Sequence, residues 1–463
     1  MTFINRALQD ITFFPFWLDN PDAPVVEPEL IGQTEADLLV VGGGFTGLWA
    51  AIQAKEQNPD RDVILIESGK IAYGASGRPG AIVSTSIMHG LSNAARIFPN
   101  DLQDLERLGL ENMAGFKRSL DLYNIDADEE WGGELTVAVG KHHIADLDEE
   151  FRLHQAHGHD VVLLDRDQVQ AEINSPLYEA GVWSKNLSGT VHPAKLAWGL
   201  KKAAKSLGVR IHEMSPMESM QQNGPGMTVR THSGQVKCEK VLLATNAFCA
   251  GHKHIKKRVA CVRDRLLMTE PLSDDQLGRI GWKNRQGVYD TRTQMNYSRL
   301  TKDNRILFGG RLAYAYNGET DPKTDRTVEP YKKLATAFSQ AFPQLDDISF
   351  THAWSGPIAL TTRMAVHFQH YYDDKVVWAG GYSGFGVSAS RFGARVGLGL
   401  LKDPKSTEWQ YEFAQTMPNK IPPEPFRWLG AAVTLYASDT ADEKGGWRPY
   451  WLHLIDKIGF PMS

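Results

Sequence analysis

The chain of 463 residues has only three cysteines, Cys238, Cys249 and Cys261, with no CxxC spacing among them. An odd, sparse count of this kind excludes a disulfide scaffold and a thiolate metal centre, and it predicts buried free thiols and no metal site. There is no run of about 18 apolar residues, so no membrane insertion is expected. The opening stretch MTFINRALQDITFFPFWLDNP mixes Arg6, Asp10 and Asp19 into short apolar pieces, unlike a signal peptide, and the chain reads as cytoplasmic. A basic surplus is also lacking: 50 Lys and Arg stand against 55 Asp and Glu, a net charge of −5, which gives no signature for nucleic acid. There is no low-complexity tract and no solenoid repeat. What remains is 42% hydrophobic residues, ample for a large core in about two to three domains. The expected partner is a small molecule, bound by a monomer or small homo-oligomer.

Residues 38 to 56, LLVVGGGFTGLWAAIQAKE, run an apolar strand into glycines and then into a helical pattern. Gly42, Gly44 and Gly47 fit G-x-G-x-x-G. The first permits the tight turn, the second lets backbone approach a pyrophosphate, and the third lets the helix pack against the strand, while the helix N-terminus faces the anion. A second strand, DVILIES, ends in Glu67, twenty residues after Gly47, where a carboxylate accepts hydrogen bonds from ribose hydroxyls and disfavours a 2′-phosphate. Strand, helix and acid in register predict an α/β dinucleotide-binding domain of Rossmann type.

NAD and FAD share such a turn, and the stretch YGASGRPGAIVS at 73 to 84 separates them. Here the sequence resembles the D-amino-acid oxidase superfamily of flavoproteins, and within it the gamma-glutamylputrescine-oxidase-like members. The resemblance continues through GTVHPAKLAWGL, VLLATNAF, NYSRLTKDNRILFGG, AWSGPIALTTRM and WAGGYSGFGVSASRFGARV, and spans nearly the whole chain. It implies a noncovalent FAD, because the cysteine by which some relatives attach flavin near AWSGP has no match here. It also implies a set of flavin-contacting residues. Around the first turn these are Gly42, Gly44, Phe45, Thr46, Gly47, Glu67 and Ser68. From the next segment come Ala75, Ser76, Gly77, Arg78, Gly80 and Ala81. Met217 is nominated through its backbone, Thr245 and Asn246 as short polar contacts, and Gly356 from AWSGP. A second helix start supplies Gly381, Ser383, Gly384, Phe385, Gly386 and Val387, where positive backbone charge suits a reduced flavin ring.

The FAD-binding domain is expected to be discontinuous, from 37–90, 180–260 and 350–402, with a substrate domain from 91–179 and 261–349. Residues 1–36 read as an arm, and 403–463, after a proline-rich lead, as a tail packing on the body. Residues 285–310 alternate apolar and polar side chains, with a turn at Lys302 to Asn304. They predict an antiparallel sheet roofing the flavin, so the second domain is α+β. Residues 101–125 carry helical spacing.

FAD does the redox chemistry itself, so no residue is named as certainly catalytic. The expected reaction oxidises a small amine to an imine that water hydrolyses to an aldehyde or keto product, with O2 reduced to hydrogen peroxide. Candidate pocket residues are Tyr297, Arg299, Trp354, Tyr382 and His89. Alternation puts Tyr297 and Arg299 on one strand face, so Arg299 is expected to face the flavin cavity and pair with a distant anionic group of the substrate, or else to pair with Asp303 on the turn. Ser388 stands where sarcosine-oxidase-like relatives carry a carboxylate-gripping lysine, which makes a small α-amino acid a poor fit and leaves gamma-glutamyl amines, aminophosphonates and N-methylated amino acids open. Pro79 with Gly80, and Phe385, also depart from the family pattern beside the flavin, and Lys283 is a poor match for an oxygen-activating lysine. A dehydrogenase passing electrons to a quinone or carrier is the alternative, and a nonenzymatic flavin-binding protein is a reading of another class.

Overall fold

The computed structural model describes residues 3–249 and 252–460. Two eight-stranded sheets organise them. In the first, the order along the sheet is His367–Tyr371, Val376–Gly380, Gly234–Leu243, Gly32–Val41, Val63–Ile66 and Arg210–His212, and Gly226–Arg230, itself paired with Ser219–Asn223, branches off by pairing with the first half of Gly234–Leu243. Its central pairs are parallel. The central strands read as continuous apolar runs because both faces are covered. The helices Phe45–Gln57, Pro193–Ser206 and Gly386–Lys402 bury one face through Leu48, Leu196 and Leu398, and Val229, Val241 and Trp378 belong to the core on the other.

The second sheet runs Phe350–Leu360, Ala260–Thr269, Ile306–Ala313, Asn296–Leu300, Gly287–Asp290, Glu134–Val139, Tyr178–Ser184, Val161–Leu164, antiparallel except between Gly287–Asp290 and Glu134–Val139. The expected hairpin is there, its turn closed by Asn304 N–H donating to Thr301 O with Asn304 at φ 61°. The helix Lys332–Ala341 covers the outer face through Leu334 and Phe338, which leaves the face bearing Leu266 and Tyr297 turned inward.

Three boundaries differ from the sequence reading. Strands Tyr178–Ser184 and Phe350–Leu360 pair with Glu134–Val139 and Ala260–Thr269, so residues 180–184 and 350–360 are part of the roof sheet and not of the first one. The helix Leu102–Leu122, expected in the substrate domain, buries Leu105, Leu108 and Phe116 in the first sheet's core. The first sheet's central strand begins at Gly32, inside the stretch read as an arm. Local pattern gave each element its type, but long-range pairing decided which sheet it joined. The tail carries a short helix, Glu412–Gln415, and two long ones, Phe426–Lys444 and Trp447–Lys457. Asp439 binds Arg311 and Lys333, and Asp456 meets Arg96 at 2.7 Å. No helix among the described residues is long and apolar enough to cross a membrane.

Candidate active site

The glycine turn is built from backbone crowding. Gly42 sits at φ 113°, and a Cβ on it would come within 2.7 Å of Ala244 O. A Cβ on Gly47 would come within 1.9 Å of Gly42 O, so the helix lies directly on the turn. The first helical N–H, of Phe45, donates to Ser76 Oγ at 2.9 Å, which brings the segment after Glu67 over the helix start. Glu67 accepts from Gly43 N at 2.6 Å and from Gly69 N at 2.8 Å, which fixes its carboxylate at the strand end. Facing this turn is the second one. Thr46 Oγ1 donates to Tyr382 OH at 2.9 Å, and Asn246 Oδ1 accepts from Gly381 N at 3.0 Å.

Between the sheets these pieces enclose one cavity of about 1550 Å³. Around the first turn, Gly42, Gly44, Phe45, Thr46, Glu67 and Ser68 line it, followed by Ala75, Ser76, Arg78, Gly80 and Ala81. Met217, Thr245, Asn246 and Gly356 line it farther along, as do Ser383, Gly384, Phe385, Gly386 and Val387. Three expected glycines do not. Gly47 packs helix on turn, a Cβ on Gly77 would come within 2.4 Å of Ala72 O, and Gly381 at φ 84° sits against Thr361 and His367. Thr245 Oγ1 is buried without a hydrogen-bond partner among the described residues, and it lines the cavity. An orphaned hydroxyl, a close-approach glycine turn and an acid at the strand end fit the hydroxyl- and phosphate-rich body of a dinucleotide.

On the roof side, Tyr297 reaches the cavity between Gly80 and Gly309, where a Cβ at either glycine would come within 2.4 Å and 2.1 Å of its ring. Tyr382 and His89 also line it, and the His89 and Phe385 rings lie 4.0 Å apart. Burial pulls the His89 imidazole down to about 4, so it is neutral at physiological pH.

The other three substrate candidates require correction. Arg299 shares the face of Tyr297, as alternation predicts, yet that face is already covered at its position. Its guanidinium donates to Val191 O at 2.6 Å and Ala81 O at 3.2 Å and lies over the Trp17 ring, 1% exposed. Neither the cavity nor Asp303 is its partner; Asp303 is bound by Arg305. Trp354 backs the wall, its indole N–H donating to Arg78 O at 2.8 Å. Ser388 lies in the first turn of the helix Gly386–Lys402 and donates to Ser84 O at 2.6 Å.

Sequence reading missed Asp264, Tyr289 and Arg292, all of which line the cavity. Asp264 accepts from Tyr297 OH at 2.5 Å, and burial pushes its carboxyl up to about 6. Tyr289 stacks on Phe385 at 6.0 Å, and Arg292 is held by Asp290 and by Asn296 Oδ1 at 2.8 Å. A signal for Asp264 was present: in VACVRDRLLM it is the one acid on the face that carries Val262 and Leu266.

Comparison with known proteins bears on the same segments. Residues 37–396 match the family described as FAD dependent oxidoreductase. The gamma-glutamylputrescine oxidoreductase of Escherichia coli is 32% identical over 371 residues, 79% of this chain and 83% of that one. A probable oxidoreductase of Haemophilus influenzae, OrdL, is 29% identical over 390 residues, 82% of this chain and 86% of that one. Among solved structures, glycine oxidase from Geobacillus kaustophilus superposes with a TM-score of 0.69 at 17% identity, over 82% of this chain and 98% of that one. L-proline dehydrogenase from P. horikoshii gives 0.67 at 18% identity, over 83% and 98%.

Proposed function

Because the chain belongs to the family of FAD-dependent oxidoreductases, acting on carbon–nitrogen bonds of amines or amino acids, we propose that its substrate is a small primary or secondary amine with charged groups at its far end, such as a gamma-glutamyl amine. The observation that carries this reading is the shape and charge of the cavity. Beside the FAD cradle its lining carries the aromatic side chains of Tyr297, Tyr289 and Phe385, and charges of both signs, Arg96, Arg152 and Arg292 with Asp146, Glu149 and Glu150. Both signs of charge in the lining suit the carboxylate and ammonium of an amino-acid headgroup, and the relative in Escherichia coli is named for a substrate that has one.

When bound, FAD supplies the hydride acceptor for the carbon bearing the nitrogen and passes the electrons on. Gly42 and Gly44 would let backbone close on its pyrophosphate, Glu67 would take ribose hydroxyls, and the helix start at Gly384 to Gly386 would offer N–H groups to developing negative charge. None of the three cysteines lines the cavity, which favours a noncovalent cofactor. The imine product is hydrolysed by water to an aldehyde or ketone, and O2 is the acceptor we assign. Anaerobic titration of the FAD-loaded protein with gamma-glutamylputrescine should bleach the flavin, and readmitted air should restore it with release of peroxide. Bleaching without oxygen uptake points instead to a dehydrogenase, and no bleaching by this compound or by an amine panel sinks the enzymatic reading.

A further inference from the structure

The strand Ala260–Thr269 places a single acid on its inward face. Val262, Asp264 and Leu266 line the cavity, while the guanidiniums of Arg263 and Arg265 turn outward to Asp325. Opposite Asp264 the neighbouring strand bulges. Arg263 pairs with Ala313 and Arg265 with Gly310, so Arg311 and Leu312 together face one residue. Bulges of this kind re-aim side chains beside active sites. Here Leu312 goes to the cavity and Arg311 leaves for Asp439. On the other side Asp264 pairs with Gly356, which offers no side chain.

The carboxylate is therefore wedged among apolar and aromatic groups with two hydrogen bonds, from Tyr297 OH at 2.5 Å and the backbone N–H of Arg265 at 3.0 Å, and among the described residues no cationic side chain is bonded to it. A desolvated carboxylate facing a cavity is costly unless something positive arrives. The surrounding rings of Tyr297, Tyr289 and Phe385 add π faces that favour a cation.

We propose that Asp264, held by Tyr297, is the receptor for the substrate's ammonium and takes its proton before oxidation. This rests on the amine reading given above. The N–H bond breaks, its electron pair stays on nitrogen, and an O–H bond forms on the Asp264 carboxyl. The neutral amine so produced has the lone pair that loss of hydride from the adjacent carbon requires, and no external oxidant enters this step.

The groups around Asp264 can be told apart by pH. Tyr297 and Tyr289 are both raised by burial and stay neutral. Arg78 is tied to Tyr73 O and Ser355 O, Arg263 and Arg265 to Asp325, and Arg311 to Asp439, while His89 titrates near 4. Asp264 itself titrates near 6.

Calorimetric titration of the anaerobic FAD-loaded protein with n-butylammonium, and with uncharged n-butanol, tests the proposal. Expected is binding of n-butylammonium that weakens as pH falls through about 6. In Asp264→Asn it should be at least about tenfold weaker at pH 8 and lose that pH limb, with n-butanol unchanged. Equal affinity of wild type and Asp264→Asn for n-butylammonium, or no binding to wild type, overturns the proposal. If Asp264→Asn does not load FAD, Tyr297→Phe decides. Loss of the donor should move the limb upward, and an unmoved limb overturns the proposal. Bleaching by gamma-glutamylputrescine reads the proposed function separately, so the receptor and the oxidation can fail independently.

Discussion

Arg299 donates through Nη1 to the main-chain carbonyl of Val191 at 2.6 Å. The bond joins the roof sheet to the lead-in of the helix Pro193–Ser206, and with the second carbonyl, of Ala81, and the Trp17 ring it encloses the guanidinium completely. Burial lowers the group to about 10, still charged at neutral pH.

Arg299→Ala should therefore act on stability. Loss of the charge-assisted bonds leaves the Val191 carbonyl unpaired, while Ala81 O keeps the Val191 N–H at 3.0 Å, and costs about 2 to 5 kcal/mol. Denaturant melts should show the loss, with KM for any substrate of the surviving holoenzyme changed less than about threefold.

Gly47→Ala and Gly44→Ala should separate folding from cofactor binding. The Cβ at Gly47 meets backbone at 1.9 Å, which cannot yield, so that variant should be insoluble or unfolded. At Gly44 the nearest atom is Ser76 Oγ at 2.9 Å, a side chain that can rotate, so the variant should fold and fail to retain FAD. Circular dichroism and the flavin absorbance of the purified proteins read the two outcomes.

Glu67→Gln should keep the fold and lose FAD affinity. The amide oxygen can still accept one of the bonds from Gly43 and Gly69, while charge-assisted bonds to ribose, worth about 1.5 to 3 kcal/mol each, weaken. Release of flavin fluorescence on dilution should occur at a concentration at least about tenfold higher than for wild type.

Asp264→Asn should stabilise the apoprotein, and only above a certain pH. Its carboxyl titrates near 6 in the folded chain against an ordinary 3.8, so folding takes up a proton between these values, and stability falls as pH rises through that window. The substitution should gain about 1 to 3 kcal/mol above pH 6 and nothing below about pH 4. A gain independent of pH in thermal melts would contradict the assignment of strain to this charge.

The legible part of this molecule was the part whose chemistry is local in sequence. Gly42, Gly44 and Gly47 with Glu67 declare a phosphate turn because strand, turn, helix and acid follow one another within thirty or so residues. Alternation also placed Tyr297 and Arg299 on one face correctly. It could not show that the face is covered at Arg299, because the cover comes from Trp17, Ala81 and Val191, three segments remote in sequence. Asp264 escaped for the same reason. Its strand reads as buried, and only pairing with Gly356 and with the bulge at Arg311 and Leu312 turns one acid of a charged triplet into a cavity group. The helix Leu102–Leu122 showed its spacing plainly, but nothing in that spacing names the sheet it packs on.

The hydroxyls of Thr46 and Tyr382 join two turns 336 residues apart along the chain. During synthesis the ribosome finishes the first turn long before its counterpart exists. A nascent chain that has emerged through the roof strand Ile306–Ala313 already carries most of the roof, yet it lacks the wall formed by Ser383 to Val387. The cavity wall is therefore complete only once the chain through Val387 has been made, and a truncated product ending before Gly380 should retain no FAD.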